Sequence, residues 1–174
     1  MKKVLIVVDM QNDFVSLALG SKEAKAIVPN VVDKVKYWRL EDKLIFTKDT
    51  HYKDYLTTLE GKMLPVKHCI ENTSGWMIIP ELFDIAVKSK IINKKTFGYE
   101  HWFAEFGTAD NIEEFELCGL CTDICVISNA LALRMLYPNH KITVDASCCA
   151  GVTPEKHKAA LEVMKSCQIN VIGE

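Results

Sequence analysis

The sequence predicts an α/β protein built on a six-stranded, mainly parallel, Rossmann-like sheet with helices on both faces. Short runs of aliphatic and β-branched residues alternate with stretches of helical spacing from end to end. Such alternation marks repeated strand–helix–strand units, whose crossovers lay helices over a parallel sheet. The first run, Lys3-Val-Leu-Ile-Val-Val-Asp9, is also continuously apolar rather than alternating, as expected of a strand buried on both faces.

The elements follow in order. Lys3 to Asp9 is the first strand. Val28 to Leu40 carries apolar residues at helical spacing (Val28, Val31, Val32, Val35, Trp38), with Pro29 suited to its first turn. Lys43 to Thr47 is the second strand and Lys90 to Asn93 a shorter third. Glu116 to Gly119 is the fourth and leads towards a helix over Ser128 to Met135. Lys141 to Asp145 is the fifth. Thr153-Pro-Glu-Lys then opens a helix with a capping residue, a proline at the first position and an acid in the first turn. That helix runs to Ser166, and Ile169 to Ile172 is the last strand. With no repeat, low-complexity segment or linker, residues 1–174 read as one domain. The single long irregular stretch, Asp49 to Pro80, is of a length that usually serves function.

Composition narrows the function. A chain of 174 residues with 49% apolar content can bury a sizeable core. Twenty-one basic and 23 acidic side chains leave a net charge of −2 with no basic stretch, which argues against nucleic acid or an anionic membrane as partner. Met1-Lys-Lys before Val4–Val8 faintly resembles a secretory leader, but the apolar run is too short and Asp9 ends it. No run reaches membrane-spanning length. Seven cysteines, an odd number with Cys148 and Cys149 adjacent, suit reduced thiols in a cytoplasm better than a disulfide framework. Cys118-Gly-Leu-Cys121 is formally a C-x-x-C pair, yet Cys118 falls within a strand and no second pair stands at zinc-site spacing.

Ligands of open parallel sheets gather beyond the carboxyl ends of the strands. Asp9 closes strand one, Asp49 and His51 follow strand two, Lys94 and Lys95 follow strand three, and Cys125 follows strand four. In Gly119-Leu-Cys-Thr-Asp-Ile-Cys-Val126 a strand hands over to a helix, with Asp123 in the cap region and Cys125 in or near the first turn. A thiol there is expected to favour thiolate and to suit a nucleophile, although an inert buried cysteine is the plainer reading. Asp9 is either a strand-end carboxylate satisfied by N–H groups or a general base for that thiol, with Asp13 competing. Lys94 or Lys95, close to both, would lower the thiol pKa. Asp49-Thr-His51 aims two side chains the same way in an extended segment. With His68 they form a set suited to zinc, iron or manganese, with Cys69 as a rival ligand. The plainer alternative is a set of surface loop residues.

Four separated motifs, Asp9-x-Gln-x-Asp-Phe14, Asp49-x-His51, Pro65-x-x-His-Cys-Ile-x-Asn-Thr73 and Gly119-x-x-Thr-Asp-x-Cys-Val126, resemble the isochorismatase-like cysteine hydrolases, especially their nicotinamidase branch. The resemblance spans nearly the whole chain and implies a three-layer α/β/α fold. It implies Cys125 as nucleophile, Asp9 as general acid/base and Lys94 as their electrostatic partner, with Lys95 the fallback. It further implies Asp49, His51 and His68 as metal ligands, a cis peptide before Cys121, and an oxyanion hole from the N–H groups of Cys121 and Cys125. The activity implied is hydrolysis of a heteroaromatic amide, nicotinamide first, with the metal meeting the pyridine nitrogen directly or through water. Members commonly form homo-oligomers.

The match departs at the pocket. Leu64 stands where many nicotinamidases have an aromatic residue, so Phe14 would face an aliphatic group unless Trp76 or Tyr99 substitutes. Thr96-Phe-Gly-Tyr99 also departs from the branch's usual Tyr-Ser pair, which leaves another small amide or an N-carbamoyl compound as the alternative substrate. A non-catalytic ligand binder, or a redox sensor using Cys125, is the reading from another class. Cys69, Cys118, Cys148, Cys149 and Cys167 are expected in packing, and Met135, Met164 and Trp38 in the core or between helices. His101, His140 and His157 are expected to face solvent, with His101 and Trp102 near the pocket mouth.

Overall fold

Val4 to Val8 are almost completely inaccessible, and removing five such side chains from water supplies roughly 1.5–3 kcal/mol apiece. That run forms the central strand of the computed structural model, which describes residues 2–39 and 41–174. Strand β1 is Lys2–Val8, β2 Lys43–Asp49, β3 Lys90–Lys94, β4 Ile112–Leu120, β5 Lys141–Ala150 and β6 Asn170–Ile172. They pair in the order β3-β2-β1-β4-β5-β6, every pairing parallel. Short helices α1 (Asn12–Val15) and α2 (Lys22–Ala26) precede α3 (Val28–Lys36). The rest are α4 (Leu59–Met63), α5 (Pro80–Ala86), α6 (Trp102–Phe106), α7 (Ile127–Leu136) and α8 (Pro154–Ser166). Helix α3 packs on α2 and α5, whereas α7 packs on α6 and α8, giving one helical layer on each side of the sheet.

Helix α3 starts at Val28 as expected. It ends at Lys36, earlier than expected and before Trp38; the expected last residue, Leu40, lies outside the described residues, as does Met1. Thr153 caps α8 by accepting the Lys156 N–H. Two strands run longer than their apolar patterns. Strand β4 begins at Ile112 rather than Glu116, because Glu114 and Glu116 are buried with lysine partners. Lys3 and Lys141 hold Glu114 at 2.8 and 2.9 Å, and Lys34 joins Glu116 to Asp145. Strand β5 continues through Ser147 to Ala150 across a register shift against β4.

The order reverses direction at β1, where β1 lies between β2 and β4. There Val8 pairs with Gly119. A Cβ at Gly119 would meet the Val8 carbonyl oxygen at 2.1 Å, and its φ of +115° belongs to glycine. Asp9 follows with φ 49°, so the chain turns sharply off the strand and leaves the carboxylate over the sheet's end. Met135 is 75% exposed, contrary to the expectation of a packed residue, because α7 turns that face to solvent. Met164 is buried and Trp38 packs on the core as expected.

Candidate active site

Four neighbouring strand ends deliver the reactive groups. Lys94 closes β3, Asp49 closes β2, Asp9 follows β1, and the turn beyond β4 carries Cys125. Lys94 is fully buried, and its Nζ lies 2.6 Å from Asp9 Oδ2, 3.5 Å from Cys125 Sγ and 3.6 Å from Asp49 Oδ1. Thr47 donates its hydroxyl to the other Asp9 oxygen at 2.6 Å. The fallback lysine is elsewhere: Lys95 is exposed, with Nζ 5.1 Å from the Tyr52 ring centre. Asp13 is not beside the thiol either. Its Oδ2 accepts the Cys69 N–H at 2.7 Å and so pins the loop that bears His68.

Burial acts against the charge on Lys94, but Asp9, Cys125 and Asp49 outweigh it and hold the ammonium protonated. Burial also raises the Asp9 pKa, with Lys94 opposing and Asp49 reinforcing, so this carboxylate binds a proton more readily than an ordinary aspartate. Cys125 corrects a sequence-based expectation. Its thiol is pushed up rather than down, first by burial and then by the Asp9 charge, against the pull of Lys94. Burial and the neighbouring carboxylate thus favour the protonated thiol, which receives the Lys94 ammonium at 3.5 Å. The arrangement can pass the thiol proton to a carboxylate held by a fixed cation.

Cys125 lies in a π-helical turn, Thr122–Val126, that precedes α7. Its start is Cys121, joined to Leu120 by a cis peptide bond. The Cys121 N–H meets no acceptor among the described residues. Asn129, buried on α7, donates to the Cys125 carbonyl at 2.8 Å and accepts the Tyr99 and Trp102 N–H groups at 2.9 and 3.0 Å. One amide thereby fixes the turn that bears Cys125 to the segment after Lys94. Gln11, also fully buried, donates to the Asp49 carbonyl and accepts the Asp49 N–H.

Asp49, His51 and His68 converge as the spacing suggested, and Glu60 joins them: one ligand atom from each lies within 4.8 Å of the others. The sequence reading missed Glu60. The stretch from Asp49 to Pro80 is less irregular than expected, and α4, capped by the Thr58 hydroxyl, presents Glu60. The available signal was a threonine followed by an acid in the first turn. Cys69 does not belong to the set; it is buried, and its carbonyl accepts the His51 N–H.

The donor chemistry fits a divalent metal. His68 engages the Val66 carbonyl through Nδ1 at 2.8 Å, which directs Nε2 into the cluster. His51 Nε2 is buried and finds no hydrogen bond of good geometry, although Asp49 Oδ2 lies 2.9 Å away. Burial disfavours the imidazolium of His51, yet the adjacent carboxylates of Asp49 and Glu60 prevail and raise its pKa to about 9. Burial likewise disfavours the Asp49 carboxylate, but His51, His68 and Lys94 pull its pKa well below the usual range. A cation seated here would replace the imidazolium charge that now balances the acids.

The pocket residues divide. Phe14 is buried, its ring 5.6 Å from that of His68. Leu64 lies at the exposed rim and receives the Tyr55 hydroxyl through its carbonyl. Tyr55, which the sequence reading did not single out, packs its ring 4.6 Å from His51 and 5.0 Å from His68. Tyr99 packs edge-on against Trp102, and the Trp76 indole N–H donates to Thr50. His101 is exposed as expected, but Trp102 is fully buried and so does not line a mouth. His140 and His157 are half-buried, not solvent-facing, because Nε2 of the first meets the Ala109 carbonyl and Nδ1 of the second meets Thr122. A cavity of about 290 Å³ between Lys43, Phe106 and Asn111 lies at the other, amino-terminal end of the strands, away from these groups.

Known proteins resemble this chain over nearly its whole length. The model of the isochorismatase domain matches residues 3–173. A nicotinamidase of Schizosaccharomyces pombe is 26% identical, over 98% of this chain and 92% of its own length. A nicotinamidase/pyrazinamidase of Mycobacterium tuberculosis is 28% identical over 98% of both. The crystal structure of a nicotinamidase/pyrazinamidase from Bacillus subtilis superposes with a TM-score of 0.86 at 27% identity, covering 99% of this chain and all of that one.

Proposed function

The chain belongs to the isochorismatase family, and on that premise we propose that it is a nicotinamidase, a metal-assisted cysteine amidohydrolase that converts nicotinamide to nicotinate and ammonia. The observation that carries the reading is the contact of one buried lysine with both Asp9 and Cys125, beside a four-donor cluster. Full-length similarity to nicotinamidases supports the substrate.

In the proposed mechanism Cys125 gives its proton to Asp9 while its sulfur attacks the amide carbon. The N–H groups of Cys121 and Cys125 receive the oxyanion. Asp9 then protonates the departing nitrogen, the C–N bond breaks, and ammonia leaves a thioester on Cys125. A water gives its proton to Asp9 and adds to the thioester carbon. The C–S bond breaks, and the thiolate recovers that proton. Lys94 stays charged throughout and steadies whichever of Asp9 or Cys125 is anionic. Asp49, His51 and His68, with Glu60 as a fourth donor, would hold the metal. Their mix of imidazole and carboxylate suits zinc, and iron or manganese would accept the same donors. When bound, it supplies a Lewis acid that orients the heteroaromatic ring.

Phe14, Leu64 and Tyr99 are the proposed pocket residues. Because Leu64 makes the rim aliphatic, another small amide or an N-carbamoyl compound is the second reading. The proposed setting is the cytoplasm, where nicotinate would enter NAD salvage, with the chain as one domain in a homo-oligomer. All seven thiols are free, which fits that compartment. Among the described residues no helix is long and apolar enough to cross a membrane. The deciding experiment is ammonia release from nicotinamide by metal-loaded protein beside Cys125→Ala. Turnover lost in the variant upholds the assignment, and no turnover by the loaded wild type removes it.

A further inference from the structure

Cys125 stands on a π-helical turn, a conformation rare enough to need external support. Part of that support comes from a segment the proposed mechanism does not use, the entry to α8. The Val152 N–H donates to Asp123 Oδ1 at 2.9 Å. Gly151 is seated so tightly that a Cβ there would meet the same oxygen at 2.8 Å and the His157 nitrogen at 2.9 Å. From the first turns of α8, His157 brings Nδ1 to 2.8 Å from the Thr122 hydroxyl.

Thr122 is fully buried, so its hydroxyl cannot turn to water, and His157 is its one side-chain partner among the described residues. A buried hydroxyl left without an acceptor is costly. We propose that His157 is a positioning residue for Cys125: its neutral ring accepts the Thr122 hydroxyl at Nδ1 and thereby latches the π-helical turn that aims the sulfur at Lys94 and Asp9. This rests on the reading of Cys125 as nucleophile.

The latch has a direction. Burial favours the neutral ring, and Lys158 on α8 reinforces that, while Asp123 in the turn and Glu174 beyond β6 oppose it. A proton added at Nδ1 would reverse the hydrogen bond and leave the Thr122 proton without an acceptor. The latch therefore holds at neutral pH and opens as pH falls through the depressed His157 pKa. Its effect falls on kcat rather than KM, because neither His157 nor Thr122 belongs to the proposed pocket.

The test compares wild type with His157→Ala, His157→Gln, Thr122→Val and the double variant His157→Ala/Thr122→Val. Two rates are read across pH: nicotinamide turnover, and alkylation of Cys125 by iodoacetamide, followed by the mass of its peptide. His157→Ala and Thr122→Val should each lower kcat and the alkylation rate by about 10- to 100-fold with KM changed by less than about two-fold. The double variant should be no worse than either single one. His157→Gln, which keeps an acceptor that does not titrate, should recover most of the rate and lose the latch's acid limb. Losses that multiply in the double variant would overturn the proposal. So would a His157→Ala protein with a lower Tm but unchanged kcat and alkylation. Alkylation decides the matter even where nicotinamide is not turned over, and full turnover by Cys125→Ala would instead remove the underlying nucleophile assignment.

Discussion

The side-chain amide of Gln11 grips the peptide groups of Asp49. Its Nε2 donates to the Asp49 carbonyl at 2.9 Å and its Oε1 accepts the Asp49 N–H at 2.8 Å. At the end of β2 this amide replaces a neighbouring strand and sets where the Asp49 carboxylate stands.

Gln11→Ala should therefore loosen the metal cluster without touching a ligand. It leaves a buried N–H and a buried carbonyl without partners, each worth about 1–3 kcal/mol. The expected result is a lower Tm, by calorimetry, together with weaker metal retention on dialysis. A variant with wild-type retention and Tm would show that Asp49 needs no such clamp.

Lys94 and Lys95 should separate cleanly. Lys94→Ala leaves Asp9 and Asp49 buried without their cation, a change on the order of 3–5 kcal/mol, and turnover should vanish. Lys95→Ala removes an exposed side chain and should leave both stability and kcat near wild type. Turnover and denaturant titration of the two variants check this, and a defect confined to Lys95→Ala would reverse the assignment.

For the metal, His68→Ala should abolish tight binding, whereas Glu60→Gln should weaken it by about 10-fold, the scale of supporting groups. Chelator competition read by elemental analysis measures both. Stripping the metal should suppress turnover, and adding back zinc, iron or manganese in turn should identify the ion that restores it. Equal retention by Glu60→Gln and wild type would remove Glu60 from the site.

Acid stability should trace to Glu114. Burial alone would raise its pKa, but hydrogen bonds from Lys3, Thr143 and Lys141 prevail and hold it at about 2 against an ordinary 4.5. A depressed carboxyl pKa stabilises the fold above the unfolded value, and that contribution is lost as pH falls towards the folded one. Glu114→Gln should be less stable than wild type at neutral pH, and the gap should close between the two values. Urea titrations at a series of pH values test this; a gap independent of pH would assign the loss to packing instead.

Much of this molecule was legible in its sequence because parallel strands announce themselves through continuous apolar runs and put their last residues at one rim. That rule put Asp9, Asp49 and Cys125 on one rim, but it left Lys94 open against Lys95 and Asp9 against Asp13, and only the resemblance of the motifs chose between them. Glu60 could not be read this way, since it rides on a five-residue helix inside a stretch with no periodicity. Gln11 and Asn129 were illegible for another reason: their importance lies in hydrogen bonds to residues distant in sequence, which leave no local pattern. The first half of β4 was hidden because Glu114 and Glu116 look like surface residues until Lys3, Lys34 and Lys141 arrive.

The pairing of Val8 with Gly119 also bears on how the chain is made. As it emerges during synthesis, the first strand must keep one edge open while β2 and β3 form on its other side. Non-local parallel pairing of this kind is slow, and an exposed apolar edge invites aggregation until it is filled. The segment that fills it is the one that brings Cys125. Closing that edge with β4 is therefore also the event that brings Cys125 beside Asp9 and Lys94.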